Sequence, residues 1–444
     1  MSLSPDQLKQ TLDSLPQAGC CYLAFSGGLD SCVLLHLLHE LVPQLPYPLQ
    51  AIHVHHGLQA GADAWQQHCE AVCAGYRIPL ITLALDLQPK KGHSLEALAR
   101  AARYQALARQ LSPGDLLLTA QHQDDQAETL LLQLLRGGGP AGLAAMPLLS
   151  EFSPGWLARP LLHQSRQSIE AYAEEKGLRW QEDPSNQDQR FDRNFIRHRV
   201  MPLLQSRWPA APVTLARSAR FSGEMLTLAR EEMAVELERV QKAQSGSLSV
   251  ALLREMSSMR IRHLLRFWIE LNGAPMPNSK KLMRIEKESI HGREDAEPLV
   301  VWSGWEIRRY RDDLILRQSR PAEPLPESID WQNKEKLVLP CELGILIATV
   351  GSAGLDRERW QQGKVEVRFR QGGERCVPAG RGHHKSLKKL FQERGVPPWK
   401  RAQTPLIYID GELAAVPGLV TCEGFSVAES EQGILLQISR SIPE

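Results

Sequence analysis

Cysteine is scarce, with eight in 444 residues and no CxxC pair among them. Cys20 and Cys21 adjoin, and Cys69 and Cys73 lie four apart, so neither a disulfide framework nor a zinc ribbon is expected. A reducing compartment, the cytoplasm, suits that usage. Long apolar runs are missing as well: none approaches the ~18 residues a membrane span needs. The opening MSLSPDQLKQ is polar and lacks an apolar leader core, so no secretory signal is expected. Net charge is only +1, which leaves any surface for a polyanion to be local. No repeat and no low-complexity tract appears. What remains is a globular composition, 43% hydrophobic and 23% charged, in a chain long enough for two or three domains.

The first part alternates strand-like and helix-like segments. CYLAF, PLQAIHVHHG, IPLITLALDL, DLLLTAQH and WLARPLL read as strands. Between them CVLLHLLHEL, ADAWQQHCEAVCAGY, SLEALARAARYQALARQL and DDQAETLLLQLLRG carry helical spacing, and SRQSIEAYAEEKG follows the last strand. Ser94 suits an N-cap, with Glu96 in the first turn. Such alternation predicts an α/β domain over 1–205, a parallel sheet covered by helices, with ligands beyond the carboxyl ends of the strands. From 206 to 320 the pattern is mostly helical, closing with the hairpin-like EIRRYRDDLILRQ. A proline-rich linker spans 321–335, and 336–444 reads as a smaller α+β domain with a hairpin signal at Asp410-Gly411.

SGGLDS ends the first strand and starts a helix with no spacer. Helix N-termini carry unpaired N–H groups, and glycine lets them approach a ligand closely. Gly27, Gly28 and Leu29 therefore suit phosphate oxygens, with Ser26 and Ser31 as hydroxyl donors. Asp30 beside phosphate calls for a bridging cation, for which magnesium is the natural choice. Capping by Asp and Ser explains the same residues, and local chemistry leaves both open. No GK[ST] follows these glycines, which excludes a Walker-type loop.

In DDQAE, Asp124 and Asp125 begin a helix and Glu128 lies within one turn, so the three acids gather near one face. Dipole compensation accounts for two of them, whereas three exceed what a terminus requires. Such a cluster can hold magnesium or receive an amine. His122, at the strand end, is placed to face it. His53, His55 and His56 lack a fourth ligand and point to opposite sides of a strand, which argues against zinc. Arg100, Arg103 and Tyr104 share a helix, and guanidinium suits carboxylate or phosphate, although a solvated face explains them too. In EDPSNQDQRFDRNFIRHRV, a turn at Asp183–Asn186 precedes Arg190, Arg193, Asn194, Arg197 and Arg199, while Phe191, Phe195 and Ile196 can pack the segment down.

Charge concentrates between Arg368 and Arg401, with ten Lys/Arg against two Glu, a local +8 in a nearly neutral chain. That is the footprint of a nucleic-acid contact, carried by Arg375, Arg381, Lys385, Lys388, Lys389, Arg394, Lys400 and Arg401. Phe369, Phe391 and Trp399 are interleaved and suit either stacking or a core.

SGGLDS resembles the pyrophosphate-binding loop of N-type ATP pyrophosphatases (PP-loop proteins), which adenylate a substrate. AIHVHHGLQAGAD, EALARAARYQAL, LTAQHQDDQAETLLLQLLRGGG, EDPSNQDQRFDRNFIRHRVMPLL and GGERCVPAGRGHHKSLKKLFQERGVPPWKR narrow the resemblance to the tRNA(Ile)-lysidine synthetase family over nearly the whole chain. The pattern departs at Gln121 and Gln59, where the family usually carries histidine and often arginine. The resemblance implies an adenine nucleotide hydrolase-like first domain, followed by helical and α+β domains that contact tRNA. It implies that the wobble cytidine of the CAU-anticodon isoleucine tRNA attacks ATP through its carbonyl oxygen, releasing pyrophosphate. Free lysine then displaces AMP to leave lysidine. On that pattern Ser26, Gly27, Gly28, Leu29, Asp30, Ser31 and His53 would bind ATP, and Asp30 and Asp124 would bind Mg2+. Asp30, Asp124, Asp125 and Glu128 would be catalytic, and Arg103, Arg190, Arg193, Asn194 and Arg197 would hold substrate. No membrane is involved, and a homodimer is compatible with the reading. The competing readings are a tRNA thiolase, disfavoured by the lack of CxxC, an amidotransferase-type synthetase, disfavoured by the basic last domain, and a non-catalytic tRNA-binding protein.

Overall fold

The computed structural model describes residues 3–55, 62–85, 95–293, 296–319, 324–331, 335–380, 382–427 and 431–439. Two compact units divide the chain, Met1–Val235 and Glu236–Glu444. His56, Gln59, Ser94 and Arg381, singled out above, lie outside the described residues.

In the first unit, α1 (Pro5–Asp13) leads into β1 (Cys21–Ala24) and α2 (Leu29–Leu41). Then come β2 (Leu49–His55), α3 (Ala62–Tyr76), β3 (Leu80–Ala84), α4 (Leu95–Ala108), β4 (Leu116–Leu118) and α5 (Gln123–Leu135). The short α6 (Pro140–Leu143), β5 (Leu149–Phe152), β6 (Gly155–Ala158) and α7 (Arg166–Glu175) follow. The sheet order is β3-β2-β1-β4-β6-β5, parallel except for β5, which returns antiparallel on β6. That edge hairpin is a departure from the all-parallel expectation. Because β1 sits between β2 and β4, the chain reverses its direction across the sheet there, and a crevice opens beyond the carboxyl ends of both strands. The largely apolar character of α2 has a packing cause. Val33, Leu34, Leu35, Leu37 and Leu38 are all fully buried against the sheet, α1 and α7, while Glu40 near the helix end is exposed. Residues 192–207 form α8 (Asp192–Phe195), a π-helical turn (Ile196–Val200) and α9 (Met201–Arg207); α10 (Ala211–Val240) runs across the division.

Residues 206–320 are mostly helical and also hold a four-stranded sheet built around the expected hairpin. β7 (Leu248–Ser249), β8 (Leu299–Trp302), β9 (Trp305–Tyr310) and β10 (Asp313–Gln318) pair antiparallel in the order β7-β10-β9-β8. β8 is four residues long, too short to announce itself by alternation. The helix Ser258–Leu271 buries Ile261, Leu264, Leu265, Trp268 and Ile269, every third or fourth residue. The remaining strands form a five-stranded sheet, a four-stranded sheet and a two-stranded pair. Trp331 and Trp360 meet edge to face at 5.1 Å in the core those sheets share. The predicted hairpin turn is present: Asp410 and Gly411 both have positive φ (50° and 83°), as a two-residue turn with right-handed twist requires.

Candidate active site

The segment between β1 and α2 answers whether SGGLDS only caps a helix. Gly28 occupies the N-cap position, and no side chain caps that terminus. Ser31 Oγ instead donates to Gly28 O at 2.9 Å and lies 3.1 Å from Ser26 Oγ. The loop is held from behind by its carbonyls: Trp65 Nε1 of α3 donates to Ser26 O, Cys32 Sγ to Gly27 O at 3.4 Å, and Gln181 N–H to Gly27 O at 3.0 Å. Gly27 needs to be glycine twice over. Its φ is +74°, and a Cβ there would stand 2.8 Å from Cys69 Sγ and 2.9 Å from Trp65 Nε1. Leu29 is buried under the loop.

Asp30 turns away from capping toward the mouth of the crevice. Arg166 Nη1 donates to its two carboxylate oxygens at 2.9 and 3.0 Å. Asp124 accepts from the Arg166 backbone N–H at 2.8 Å, so the start of α7 touches both acids. His122, 2% exposed, stands among three aspartates: Nε2 is 3.8 Å from Asp30 and 3.5 Å from Asp125, and Nδ1 is 3.7 Å from Asp124. Burial pushes this imidazole down, but Asp125, Asp124 and Asp30 outweigh it and hold its pKa above the ordinary histidine value. Burial likewise pushes Asp30 up, and there the nearby His122 and Arg166 only partly offset it. Asp125 lies below the usual carboxylate range, since His122, Arg193 and Arg197 outweigh its burial.

The third acid is fully committed. Glu128 is 2% exposed and accepts from Arg193 Nε at 3.0 Å and from Arg197 Nε and Nη2 at 2.6 and 2.9 Å. Both arginines also reach Asp125 Oδ1 at 2.9 Å. Arg197 projects from the π-helical turn, and Arg193 from α8 one turn earlier. Two acids one turn apart on α5 thus meet two arginines one turn apart on the 192–207 segment. Asn194 Nδ2 donates to Asp188 O at 2.9 Å and supports the preceding turn. Arg190 pairs with Asp188 at the surface and does not line the cleft.

Ser26, Gly28, Asp30, His122, the three acids of α5, Arg166 and Arg197 line a cleft of about 930 Å³, together with His53, His55, Trp65, Arg100 and Arg103. His53 is buried, with Nδ1 3.0 Å from Phe25 O and 3.4 Å from Cys69 Sγ. The Arg100 guanidinium lies over the Tyr104 ring at 5.1 Å. Gln121 accepts from the Thr119 hydroxyl. Cys32, Cys69 and Cys73 pack behind the loop, each thiol pushed up to about 12 chiefly by burial, and no cysteine lines the cleft. Among the described residues, no group of three or more ligating side chains gathers at metal-binding geometry.

In the last domain, Arg375, Lys388, Lys389, Arg394 and Lys400 are exposed. Lys385 is tied to Glu393 at 3.0 Å. Arg401 corrects the expectation of an RNA contact: it is buried, and its Nε donates to Val396 O at 2.9 Å. Phe369 and Phe391 belong to the core, and Trp399 is half-buried.

A family model for the PP-loop domain matches residues 3–204, one for the TilS substrate-binding domain matches 248–315, and one for the TilS substrate C-terminal domain matches 365–438. A tRNA(Ile)-lysidine synthase of Methylococcus capsulatus is 44% identical over 94% of this chain and 95% of its own length. The chain belongs to the tRNA(Ile)-lysidine synthase family. Another relative, the tRNA(Ile)-lysidine synthase of Escherichia coli O157:H7, is 46% identical over 93% of this chain and 94% of its own length. Among solved structures, a U34-tRNA thiolase of Methanococcus maripaludis matches 49% of this chain and 78% of its own, at 19% identity and a TM-score of 0.42. Sequence reasoning passed over Arg166 and Trp65, which hold Asp30 and the Ser26 carbonyl. Neither has a local signature, since each meets its partner only through the packing of α7 and α3.

Proposed function

We propose that this protein joins free lysine to carbon 2 of the wobble cytidine of the isoleucine tRNA with anticodon CAU, using ATP and forming lysidine. The observation that carries the reading is membership of the tRNA(Ile)-lysidine synthase family along nearly the whole chain, with the glycine loop and the acids of α5 in one cleft. The cytidine carbonyl oxygen attacks the α-phosphorus, the bond to the β-phosphate oxygen breaks, and pyrophosphate leaves. Lysine's amine then bonds to carbon 2, and AMP leaves with the oxygen.

Ser26, Gly27, Gly28, Leu29 and Ser31 would receive the phosphates through loop N–H groups and hydroxyls. His53 would border the nucleotide at the end of β2. Asp30 and Asp124 would hold magnesium, which would offset charge on the leaving group. The donors fit that ion. Magnesium needs only one or two carboxylates beside phosphate oxygens, and these two are 30% and 27% exposed. Arg166 would yield Asp30 when the ion binds. Free lysine is mostly protonated, with a pKa of ~10.4. Asp125 and Glu128 would meet the ammonium, taking it in place of contacts now made by Arg193 and Arg197, and accept its proton. Arg103 and the two released arginines would hold substrate anions, with Arg190 and Asn194 at the edge of the same segment. The exposed lysines and arginines of the last domain would meet tRNA phosphates. Among the described residues no helix is long and apolar enough to cross a membrane, and the free thiols suit the cytoplasm.

The test is incubation with unmodified tRNA(Ile), ATP, magnesium and labelled lysine, followed by nucleoside mass spectrometry. Labelled lysidine, with AMP formed only when tRNA is present, supports the reading. Turnover of ATP indifferent to lysine, or a thiolated base, removes it.

A further inference from the structure

Outside the cleft, a set of charged and aromatic contacts in the second unit joins the β9–β10 hairpin to the segment 392–401. Glu306 of β9 is 4% exposed and accepts from Arg308 Nε at 2.8 Å and Arg317 Nε at 2.6 Å. Burial pushes this carboxyl up, but the hydrogen bonds from the two arginines outweigh it and hold it below the usual range. The same guanidinia lie over the Trp399 ring, at 5.1 Å for Arg308 and 5.9 Å for Arg317. Tyr310 meets that indole edge-on at 6.1 Å and lies 3.5 Å from Arg401 Nη2. At the hairpin turn, Arg311 donates to Gln392 O.

Trp399 Nε1 is buried with no hydrogen-bond partner. A buried donor left unpaired costs stability, so the position uses the indole for its π face and bulk. One buried carboxylate sets the two guanidinia, and they in turn present a platform for a single aromatic ring. Trp399 adjoins Lys400 and lies a few residues beyond Arg394, both exposed. Whatever orients Trp399 therefore orients that basic face relative to the hairpin.

We propose that Trp399, seated on the Arg308–Arg317 platform that Glu306 holds, is a positioning residue for tRNA. It locks the basic face of the last domain to the β9–β10 sheet, so that one tRNA meets both at a fixed spacing. The proposal rests on the tRNA reading above, but its structural half can be checked without tRNA. Prepaying the orientation of two binding surfaces raises affinity without adding a contact to the ligand.

The experiment uses the full chain with Trp399→Ala, Trp399→Phe and Arg308→Gln. Hydrogen exchange is followed in 305–318 and 392–404, beside tRNA(Ile) affinity and the KM for ATP and for lysine. Trp399→Ala is expected to speed exchange in both segments and weaken tRNA binding about tenfold (~1.4 kcal/mol), with the two small-substrate KM values unchanged. Trp399→Phe, which keeps an aromatic ring but loses the unpaired N–H and part of the indole's bulk, is expected to restore most of both readouts. Arg308→Gln should fall between them, and it decides the matter should Trp399→Ala not fold. Unchanged exchange in the alanine and glutamine variants overturns the lock, whether or not the protein binds tRNA. Faster exchange with undiminished tRNA affinity, or a phenylalanine variant as weak as alanine, overturns the positioning role.

Discussion

Arg166 grips Asp30 by both carboxylate oxygens, at 2.9 and 3.0 Å, from a residue 136 positions later in the chain. The aspartate is placed by the strand-to-helix turn after β1 and the arginine by the start of α7. The pair is 30% and 38% exposed, so solvent screens it and its net worth to folding is small. Asp30→Asn is therefore expected to lower pyrophosphate release at least 100-fold while changing stability by no more than about 1 kcal/mol. Pyrophosphate assays beside thermal unfolding decide it; near-normal turnover would remove Asp30 from the chemistry.

Glu128 sits at the opposite balance. It is buried, and its partners are two guanidinia that would be left sharing Asp125 alone. Removing one member of a buried ion network leaves charge uncompensated, so Glu128→Gln should cost about 2–4 kcal/mol, allowing for the partial exposure of both arginines. A shift in the denaturant midpoint with unchanged slope is the expected signature. A variant as stable as the parent would show the network to be dispensable.

Stability should fall as pH drops below neutrality. His36, His53, His68 and His163 all titrate below the ordinary histidine value, chiefly because burial disfavours the imidazolium. The unfolded chain binds protons near pH ~6.5 while the folded chain resists them, so stability is retained above that pH and lost below it. His122 shifts the other way; below ~6.5 it is protonated in both states and adds no slope there. The melting temperature between pH 7.5 and 5 measures this, and His36→Gln should make the decline shallower.

Gly27→Ala combines a positive φ with a Cβ pressed against Cys69 and Trp65. The loop must shift to accept it, and ATP affinity should fall at least tenfold. Equilibrium binding of a non-hydrolysable ATP analogue reads the change; unchanged affinity would mean the loop does not receive the phosphates.

Lys388 and Lys389 are exposed side by side at the start of a helix in the last domain. If each meets a phosphate, the double substitution to glutamine should weaken tRNA binding across sequences and lower the slope of log affinity against log salt by about 2. A salt slope equal to that of the parent would place the RNA elsewhere.

Much of this was legible before any coordinates. Strand and helix alternation announces the α/β unit because side-chain period is a local property of backbone geometry. SGGLDS and DDQAE advertise their chemistry because a helix start exposes N–H groups within a few residues of the side chains that matter. The short β8 escaped notice, since four residues carry too little pattern, and the buried fate of Arg401 is invisible in a run of exposed basic neighbours.

By itself the sequence determined the family, the strand and helix alternation around the sheet of the first unit, and which residue types crowd the ends of β1 and β4. Only the tertiary structure decided how their charges are spent: Arg166 on Asp30, Arg193 and Arg197 on Asp125 and Glu128, His122 among three aspartates, and Trp399 over two arginines. The physical reason is range. Periodicity and capping act within a turn or two of the chain, whereas an ion pair or a stacked ring depends on where packing brings segments a hundred residues apart.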